Sequence, residues 1–254
     1  MVGGSFAFGA GVNAEERFSA LLEDRLRHRR RNVEVLNVSA QGWNLRHQIA
    51  FFEAEGLDYD PDAVIFVHCQ VDFVSPPRPG VTPPVNLSPE GRWDARPSWL
   101  RWLSYDRIYK IKLSATVMYL RDKMAVIGAK PNFGVKLLQD QIDLDAEPTI
   151  AYTYSQYGEV KTTLEAEGIP MVIATLPMVN FFWLSDGEPS YVSHFKRFAE
   201  TEGIEFVDLS RNLVTPRDRN LYYLYPWDGH LNPMGQERVA EQLFPIVDRL
   251  IPPQ

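Results

Sequence analysis

Two nearly continuous apolar runs constrain the fold of this chain more than any other feature. Ala63–Val67 and Met171–Leu176 do not alternate between apolar and polar residues, which is typical of strands in a parallel sheet that is covered on both faces. Helical patterns lie between the strands, and this order predicts an α/β fold with a mainly parallel sheet and right-handed crossovers. Further strands are predicted at Val33–Val38 and Phe206–Leu209, and helices at about Leu45–Glu55, Ile150–Ala166, Ser190–Thr201 and Pro233–Leu250.

The beginning of the chain predicts a short strand followed by a capped helix. Only Met1 and Val2 precede the Gly3–Gly4 pair. Asn13 and Glu16 then have the spacing of a capping box, and apolar residues recur behind them at helical spacing. Because the first strand is so short, we expect the chain to be truncated at its start. The presence of an upstream leader or anchor stays unassigned.

A long segment interrupts the regular alternation of strands and helices. Residues 74–97 contain seven prolines, and residues 98–145 add aromatic residues, one helical pattern and a polar stretch. We interpret 74–145 as an insertion over the loop edge of the sheet. With 254 residues, the chain is therefore expected to form one domain, 1–254, that carries this insertion.

Composition excludes several classes of protein. The formal net charge is −7, which argues against a general nucleic-acid binder, because such proteins need a basic face for phosphates. The longest apolar stretch, Ile169–Leu184, is broken by Pro170 and Pro177 and is too short to span a bilayer as a helix. No signal peptide is visible. We expect a soluble chain, and its localisation and oligomeric state stay unassigned.

Three polar residues suggest hydrolytic chemistry. Ser5 follows the Gly3–Gly4 pair, and Asp228 and His230 share a loop before the last predicted helix. An Asp that orients a His allows the His to deprotonate a serine, which then acts as a nucleophile. Taken singly, Ser5 and Asp228 are also ordinary turn residues, and His230 is also an ordinary cap or core residue.

Together the segments around these residues resemble the SGNH, or GDSL-like, hydrolase superfamily. Four family blocks occur in the expected order: Gly3–Val12, Leu36–Asn44, Cys69–Asp72 and Asp228–Gly235. The resemblance covers most of the chain. It implies a three-layer α/β/α sandwich with a sheet of about five parallel strands and an esterase-type site at their carboxyl edge.

The resemblance also implies roles for individual residues. Ser5 would be the nucleophile, His230 the general base and Asp228 its orienting acid. The backbone N–H groups of Ser5 and Gly42 would stabilise the oxyanion. Cofactors are expected to be absent, and so is a metal site, because His47 and His68 lack a ligand pattern around them.

The chain differs from the family pattern in the first, third and fourth blocks. Gly4 replaces the Asp of the first block, and Val71 stands where the third block has its oxyanion Asn. Gln70, Gln41 and Asn44 are each open as a substitute donor. Asp228 precedes His230 by two residues rather than three, a spacing that resembles the O-acetyltransferase branch of the superfamily.

Aromatic and polar residues near the blocks are candidates for substrate binding. Trp43, Asn44, Gln70 and Trp227 are assigned to this role, with packing of the insertion as the alternative for the aromatic residues. Cys69 is interpreted as a small buried apolar residue rather than a nucleophile. The run Gly9–Ala14 fits a dinucleotide-binding pattern in form, but the turn before it is already formed at Ser5, so we treat it as a chance match.

The sequence therefore predicts a serine-dependent ester hydrolase that forms an acyl-enzyme on Ser5. The expected substrate is a small or carbohydrate-linked ester. The alternatives are an O-acyltransferase that uses the same site and a catalytically weakened binding protein with the same fold, for which Val71 is the main argument.

Overall fold

The computed structural model describes most of the chain outside the predicted insertion. The described residues are 1–29, 32–74, 76, 147–178, 190–213, 219–224 and 228–251. They belong to one compact unit, Met1–Pro76 together with Gln139–Gln254. Almost all of the predicted insertion at 74–145 lies outside the described residues, and so does Trp227. The interpretation of the chain as a single domain therefore stays a prediction.

The described residues form a five-stranded, entirely parallel sheet in the order β2-β1-β3-β4-β5. This confirms the predicted fold class. The strands are β1 Val2–Gly3, β2 Val38–Ser39, β3 Val64–Cys69, β4 Met171–Leu176 and β5 Glu205–Asp208.

Helices cover both faces of the sheet. They are α1 Ser5–Phe8, α2 Phe18–Arg29, α3 Leu45–Glu55, α4 Glu147–Ala166, α5 Ser190–Glu202, α6 Arg219–Tyr222 and α7 Pro233–Leu250. The predicted bounds of α3, α7 and β4 agree with these.

The two apolar runs form the centre of the sheet. All residues of β3 and β4 are buried, and their register runs from Val64 opposite Met171 to Cys69 opposite Leu176. Successive side chains point to opposite faces. Val67 packs with α2 and α7 on one face, and Phe66 packs with α3, α4 and α5 on the other. The result is a three-layer sandwich with a core on each side of the sheet.

The prediction of a strand over Val33–Val38 is wrong in its extent. Only Val38 and Ser39 are paired, because β2 is an edge strand whose one neighbour, β1, offers two residues. The backbone N–H of Val35 bonds to the carboxylate of Glu23 at 2.7 Å instead.

The first helix also begins later than predicted. The capping box of Asn13 and Glu16 is present, but it caps a 3-10 turn at Ala14–Glu16. Helix α2 starts at Phe18, whose N–H donates to Oε1 of the buried Gln236 in α7 at 2.9 Å. The first and last long helices are therefore joined by a hydrogen bond as well as by apolar packing.

The carboxyl ends of the strands define the edge that holds several of the predicted site residues. Ser5 follows β1, the loop 40–44 follows β2, and a 3-10 turn at Gln70–Asp72 follows β3. Ligand sites of open parallel sheets lie outside this edge.

Candidate functional site

Ser5 is presented by a short strand–helix junction. Gly4 is in an extended conformation, and Ser5 is the first residue of α1. The N–H of Phe8 donates to the carbonyl of Gly4 at 3.0 Å, and the N–H of Ala10 donates to that of Ser5 at 3.2 Å. These bonds hold the half-buried Ser5 at the carboxyl edge of β1.

His230 and Asp228 meet Ser5 in one chain of contacts. Oγ of Ser5 lies 2.8 Å from Nε2 of His230. The other ring nitrogen, Nδ1, contacts Oδ1 of Asp228, and the same oxygen accepts the backbone N–H of His230 at 2.8 Å. This double use of one carboxylate oxygen explains how an acid two residues before the histidine reaches its ring.

The contact with His230 sets the charge of Asp228. The hydrogen bond from the imidazole, aided by backbone N–H groups, lowers the pKa of Asp228 although partial burial opposes the shift. The acid therefore stays ionised at neutral pH. An ionised acid fixes the imidazole with a proton on Nδ1 and leaves Nε2 free to accept one.

The loop that carries this pair is fixed at both ends. The N–H of Leu224 donates to the carbonyl of His230 at 2.8 Å, and the N–H of Asp228 donates to that of Leu224 at 3.1 Å. Asn232 caps α7 by accepting the N–H of Gly235 at 3.0 Å. The ring of Phe6 lies 4.6 Å from the imidazole, centroid to centroid.

Gly42 lies in an exposed turn of the loop after β2. Its φ of +82° is a left-handed conformation that favours glycine. The neighbouring Trp43 approaches the serine turn closely, because its carbonyl oxygen would lie 2.7 Å from a Cβ atom added to Gly4. The loop after β2 therefore passes beside the Gly4–Ser5 turn.

The other predicted site residues have more varied surroundings. Val71 is half-buried and packs against the core cluster that contains Phe6, and its aliphatic side chain offers no hydrogen-bond donor. Gln70 is half-buried at the start of the 3-10 turn after β3. Asn44 caps α3, accepting the N–H of Arg46 at 3.2 Å, and the ring of Trp43 lies 5.7 Å from that of Phe51.

Sequence reasoning assigned no role to two buried polar residues near the Gly4–Ser5 turn. Asp72 accepts the N–H of Cys69 at 2.7 Å and the side-chain amide of Gln48 at 3.1 Å. Both side chains are almost completely buried. The position of Asp72 inside a family block was the available signal, but its hydrogen-bond partner Gln48 lies 24 residues away in sequence.

The described residues show no group of three or more His, Cys, Asp or Glu side chains that could hold a metal ion. Cys69 is buried, and burial raises the pKa of its thiol, which makes it a poor nucleophile. His68 is buried against Tyr157, with Nδ1 2.9 Å from the phenol oxygen. Within the same described residues, no helix has the length and apolar character needed to cross a membrane.

Solved structures of other proteins have a fold similar to the one described above. The chain is similar to TesA, with a TM-score of 0.55 and 15% identity over 98% of this chain and 97% of that one. It is also similar to the psychrotrophic esterase EstA from Pseudoalteromonas sp., with a TM-score of 0.54 and 11% identity over 98% and 94%. An acetyl xylan esterase has a TM-score of 0.50 and 14% identity over 97% of each chain. At these identities the similarity concerns the fold.

The sequence itself identifies the family. A search of curated proteins found no match, but residues 1–238 match the GDSL-like lipase/acylhydrolase family. That match covers nearly the whole chain and includes the segments that carry Ser5, Asp228 and His230. The chain therefore belongs to the GDSL-like lipase/acylhydrolase family and is a carboxylic ester hydrolase.

Proposed function

We propose that this hydrolase cleaves small or carbohydrate-linked esters through a covalent acyl-enzyme on Ser5. One observation carries the proposal, namely the unbroken contact from Oγ of Ser5 to Nε2 of His230 and from Nδ1 to Asp228. This arrangement supplies a nucleophile, a base and an orienting acid, the three groups that serine-dependent acyl transfer requires.

In the first half of the reaction, Oγ of Ser5 attacks the carbonyl carbon of the ester. The hydroxyl proton moves to Nε2 of His230, and a tetrahedral oxyanion forms. When the intermediate collapses, the bond to the alkoxy group breaks, and His230 gives its proton to the departing alcohol. Ser5 is left acylated.

In the second half, water takes the place of the alcohol. His230 removes a proton from the water, whose oxygen attacks the acyl carbon. The bond to Oγ then breaks, Oγ regains a proton from His230, and the carboxylic acid leaves. Throughout, the ionised Asp228 stabilises the imidazolium form and keeps its ring oriented.

Oxyanion stabilisation is expected to be the weak part of this site. The backbone N–H groups of Ser5 and Gly42 are the proposed donors, and Val71 adds none. Loss of one oxyanion donor typically lowers the rate by about 10²–10³. Hydrolysis by the wild-type protein should therefore be slow for a serine hydrolase.

Three features support the substrate class and the second candidate reaction. A structural neighbour is named an acetyl xylan esterase, and Trp43, an aromatic side chain suited to packing on a sugar ring, lies in the loop beside the nucleophile. The two-residue spacing of Asp228 and His230 favours O-acyl transfer as the alternative, in which a hydroxyl group rather than water accepts the acyl group from Ser5.

A chain-length series tests the proposal. p-Nitrophenyl esters from acetate upward are assayed with and without an alcohol acceptor, using the wild type, Ser5→Ala and the exposed-site control Ser155→Ala. We expect turnover of the short esters by the wild type and the control, and less than a few per cent of it with Ser5→Ala. Ester formed with the alcohol would identify a transferase.

A fluorophosphonate probe provides an independent readout. Labelling of the wild type and Ser155→Ala, but not of Ser5→Ala, is the expected result. Full activity or full labelling of a folded Ser5→Ala protein would contradict the covalent mechanism. A folded wild type that is neither labelled nor active would favour the catalytically weakened binding protein.

A further inference from the structure

Asp72 is a buried carboxyl group beside the nucleophile turn that the mechanism above leaves unused. Its side chain is 1% exposed. Two N–H groups donate to it, from the backbone of Cys69 and the amide of Gln48. In the described part of the chain, no Lys, Arg or His forms an ion pair with it. A carboxylate buried without a cation is costly to keep charged.

The Asp72 carboxyl group occupies the space that a side chain on residue 4 would need. A Cβ atom added to Gly4 would lie 3.0 Å from Oδ1 of Asp72 and 2.7 Å from the carbonyl oxygen of Trp43. Asp72 thus lies where three segments meet, namely the serine turn, the loop after β2 and the end of β3. Gln48 ties this junction to α3.

The charge of Asp72 changes in the neutral pH range. Burial raises its pKa from 3.8 to about 7, against the lowering effect of its hydrogen bonds from Cys69 and Gln48. The titratable groups that act on it are the Cys69 thiol of β3, the Tyr157 phenol of α4 and the Tyr191 phenol of α5. Burial raises the pKa of all three, so they stay neutral.

We propose, on the basis of the acyl-enzyme mechanism above, that Asp72 is a positioning residue that supports the Gly4–Ser5 turn when neutral and slows acylation of Ser5 when ionised. The N–H of Ser5 is a proposed oxyanion donor, and it follows Gly4 directly. A negative charge on Asp72 opposes the negative charge that develops on the substrate there. The rate of acylation therefore falls above about pH 7, where ordinary serine hydrolysis would be constant.

The experiment measures the rate constant for labelling of Ser5 by a fluorophosphonate from pH 5 to 9, corrected for hydrolysis of the probe in buffer. The wild-type rate should increase from acid to neutral pH, because only an unprotonated base can accept the proton of Ser5. It should then fall about threefold or more between pH 7 and 9, an electrostatic effect of a nearby charge. Asp72→Asn should remove the alkaline fall and keep the acid limb.

The Asn variant is expected to fold. It has the shape of Asp, its oxygen can still accept the N–H of Cys69, and its NH2 group can donate to Oε1 of Gln48 once the Gln48 amide flips. That oxygen is buried without a hydrogen-bond partner in the wild type. A folded Asp72→Asn protein that keeps the alkaline fall would overturn the proposal.

A second variant separates positioning from a merely structural role. Gln48→Met conserves volume but removes the amide donor that favours ionised Asp72. The alkaline fall should then move up by about one pH unit, since one hydrogen bond to the charged form is lost. A merely structural residue would instead lower the rate equally at every pH. This variant decides the matter if Asp72→Asn fails to fold.

Asp58→Asn, at an exposed carboxyl group on the 3-10 turn after α3, is the matched control and should leave the pH curve unchanged. The two proposals fail differently. Labelling of the wild type without an alkaline fall overturns the role of Asp72 alone. Absence of labelling at Ser5 at every pH overturns the acyl-enzyme mechanism as well.

Discussion

A single carboxylate oxygen of Asp228 receives both the backbone N–H and the ring nitrogen of His230, and this contact has a direct kinetic consequence. Asp228→Asn should lower ester turnover by about 10³–10⁴, because an amide favours the wrong imidazole tautomer and cannot stabilise the imidazolium. KM should change little. Steady-state kinetics measure both, with the exposed Asp62→Asn as control. A loss below tenfold would show that His230 does not depend on Asp228.

For Val71 we predict a substitution that raises the reaction rate rather than lowering it. Val71→Asn adds a side-chain donor where the family has one, and a correctly aimed donor should raise the rate about 10-fold or more. The amide also enters surroundings that pack against the core, which costs about 1–3 kcal/mol if it is unsatisfied. Rate and free energy of unfolding are measured together. A stable variant without a gain in rate would show that oxyanion stabilisation does not limit the reaction.

At the scale of elements, the strands and helices with the strongest patterns were predictable, and those that depend on partners were not. The bounds of β4, α3 and α7 follow from local hydrophobic patterns and caps. The extent of β2 depends on how much of β1 is available for pairing, and the start of α2 depends on Gln236 in α7. Local sequence carries neither fact.

The same distinction applies to the candidate site. The resemblance brought Ser5, Asp228 and His230 together before any geometry was known, although their catalytic roles stay predictions. Asp72 was not predicted, because its importance comes from its hydrogen bond with Gln48 and from the space beside Gly4 that its carboxyl group occupies. Such contacts exist only after α3 has packed against the sheet.

The junction between α6 and α7 yields an element-scale prediction. A Cβ atom on Gly235 would lie 2.2 Å from the carbonyl oxygen of Tyr222. Gly235→Ala must therefore displace the first turn of α7 and with it the loop that carries His230. We expect a loss of stability of about 1–3 kcal/mol, as for other overpacked sites, together with a lower turnover rate.

Gly158→Ala is the matched control for Gly235→Ala. Gly158 lies inside α4 with no atom within 4 Å of an added Cβ. Alanine should stabilise this helix by about 0.5–1 kcal/mol and leave turnover unchanged. Denaturant unfolding and ester kinetics on both variants check the pair. Equal effects of the two substitutions on activity would contradict the role assigned to the α6–α7 junction.

At the scale of the whole molecule, Asp72 makes stability depend on pH. Below about pH 3 the residue is neutral in both folded and unfolded chains. As pH rises toward 7, the unfolded chain releases the proton while the folded chain retains it, so the folded state loses relative stability. With a folded pKa of about 7, the loss approaches about 4 kcal/mol in order of magnitude.

Denaturant unfolding of the wild type and Asp72→Asn between pH 4.5 and 8 measures this effect. As pH rises, the free energy of unfolding of Asp72→Asn should increase relative to that of the wild type. The difference between the two should become constant above about pH 8. Asp228 does not interfere, since its lowered pKa confines its own contribution to more acidic solution. A difference that is constant over the whole interval would mean that Asp72 titrates normally.

The contact between Ser5 and His230 joins residues 225 positions apart in sequence. During synthesis the serine leaves the ribosome 225 residues before the histidine. At about 5–20 residues per second, roughly ten to forty seconds separate the two events. Throughout that interval the nascent chain carries the proposed nucleophile without the proposed base. Under the proposed mechanism, hydrolytic activity therefore arises only after His230 has been synthesised, and chains that terminate before this residue are released inert.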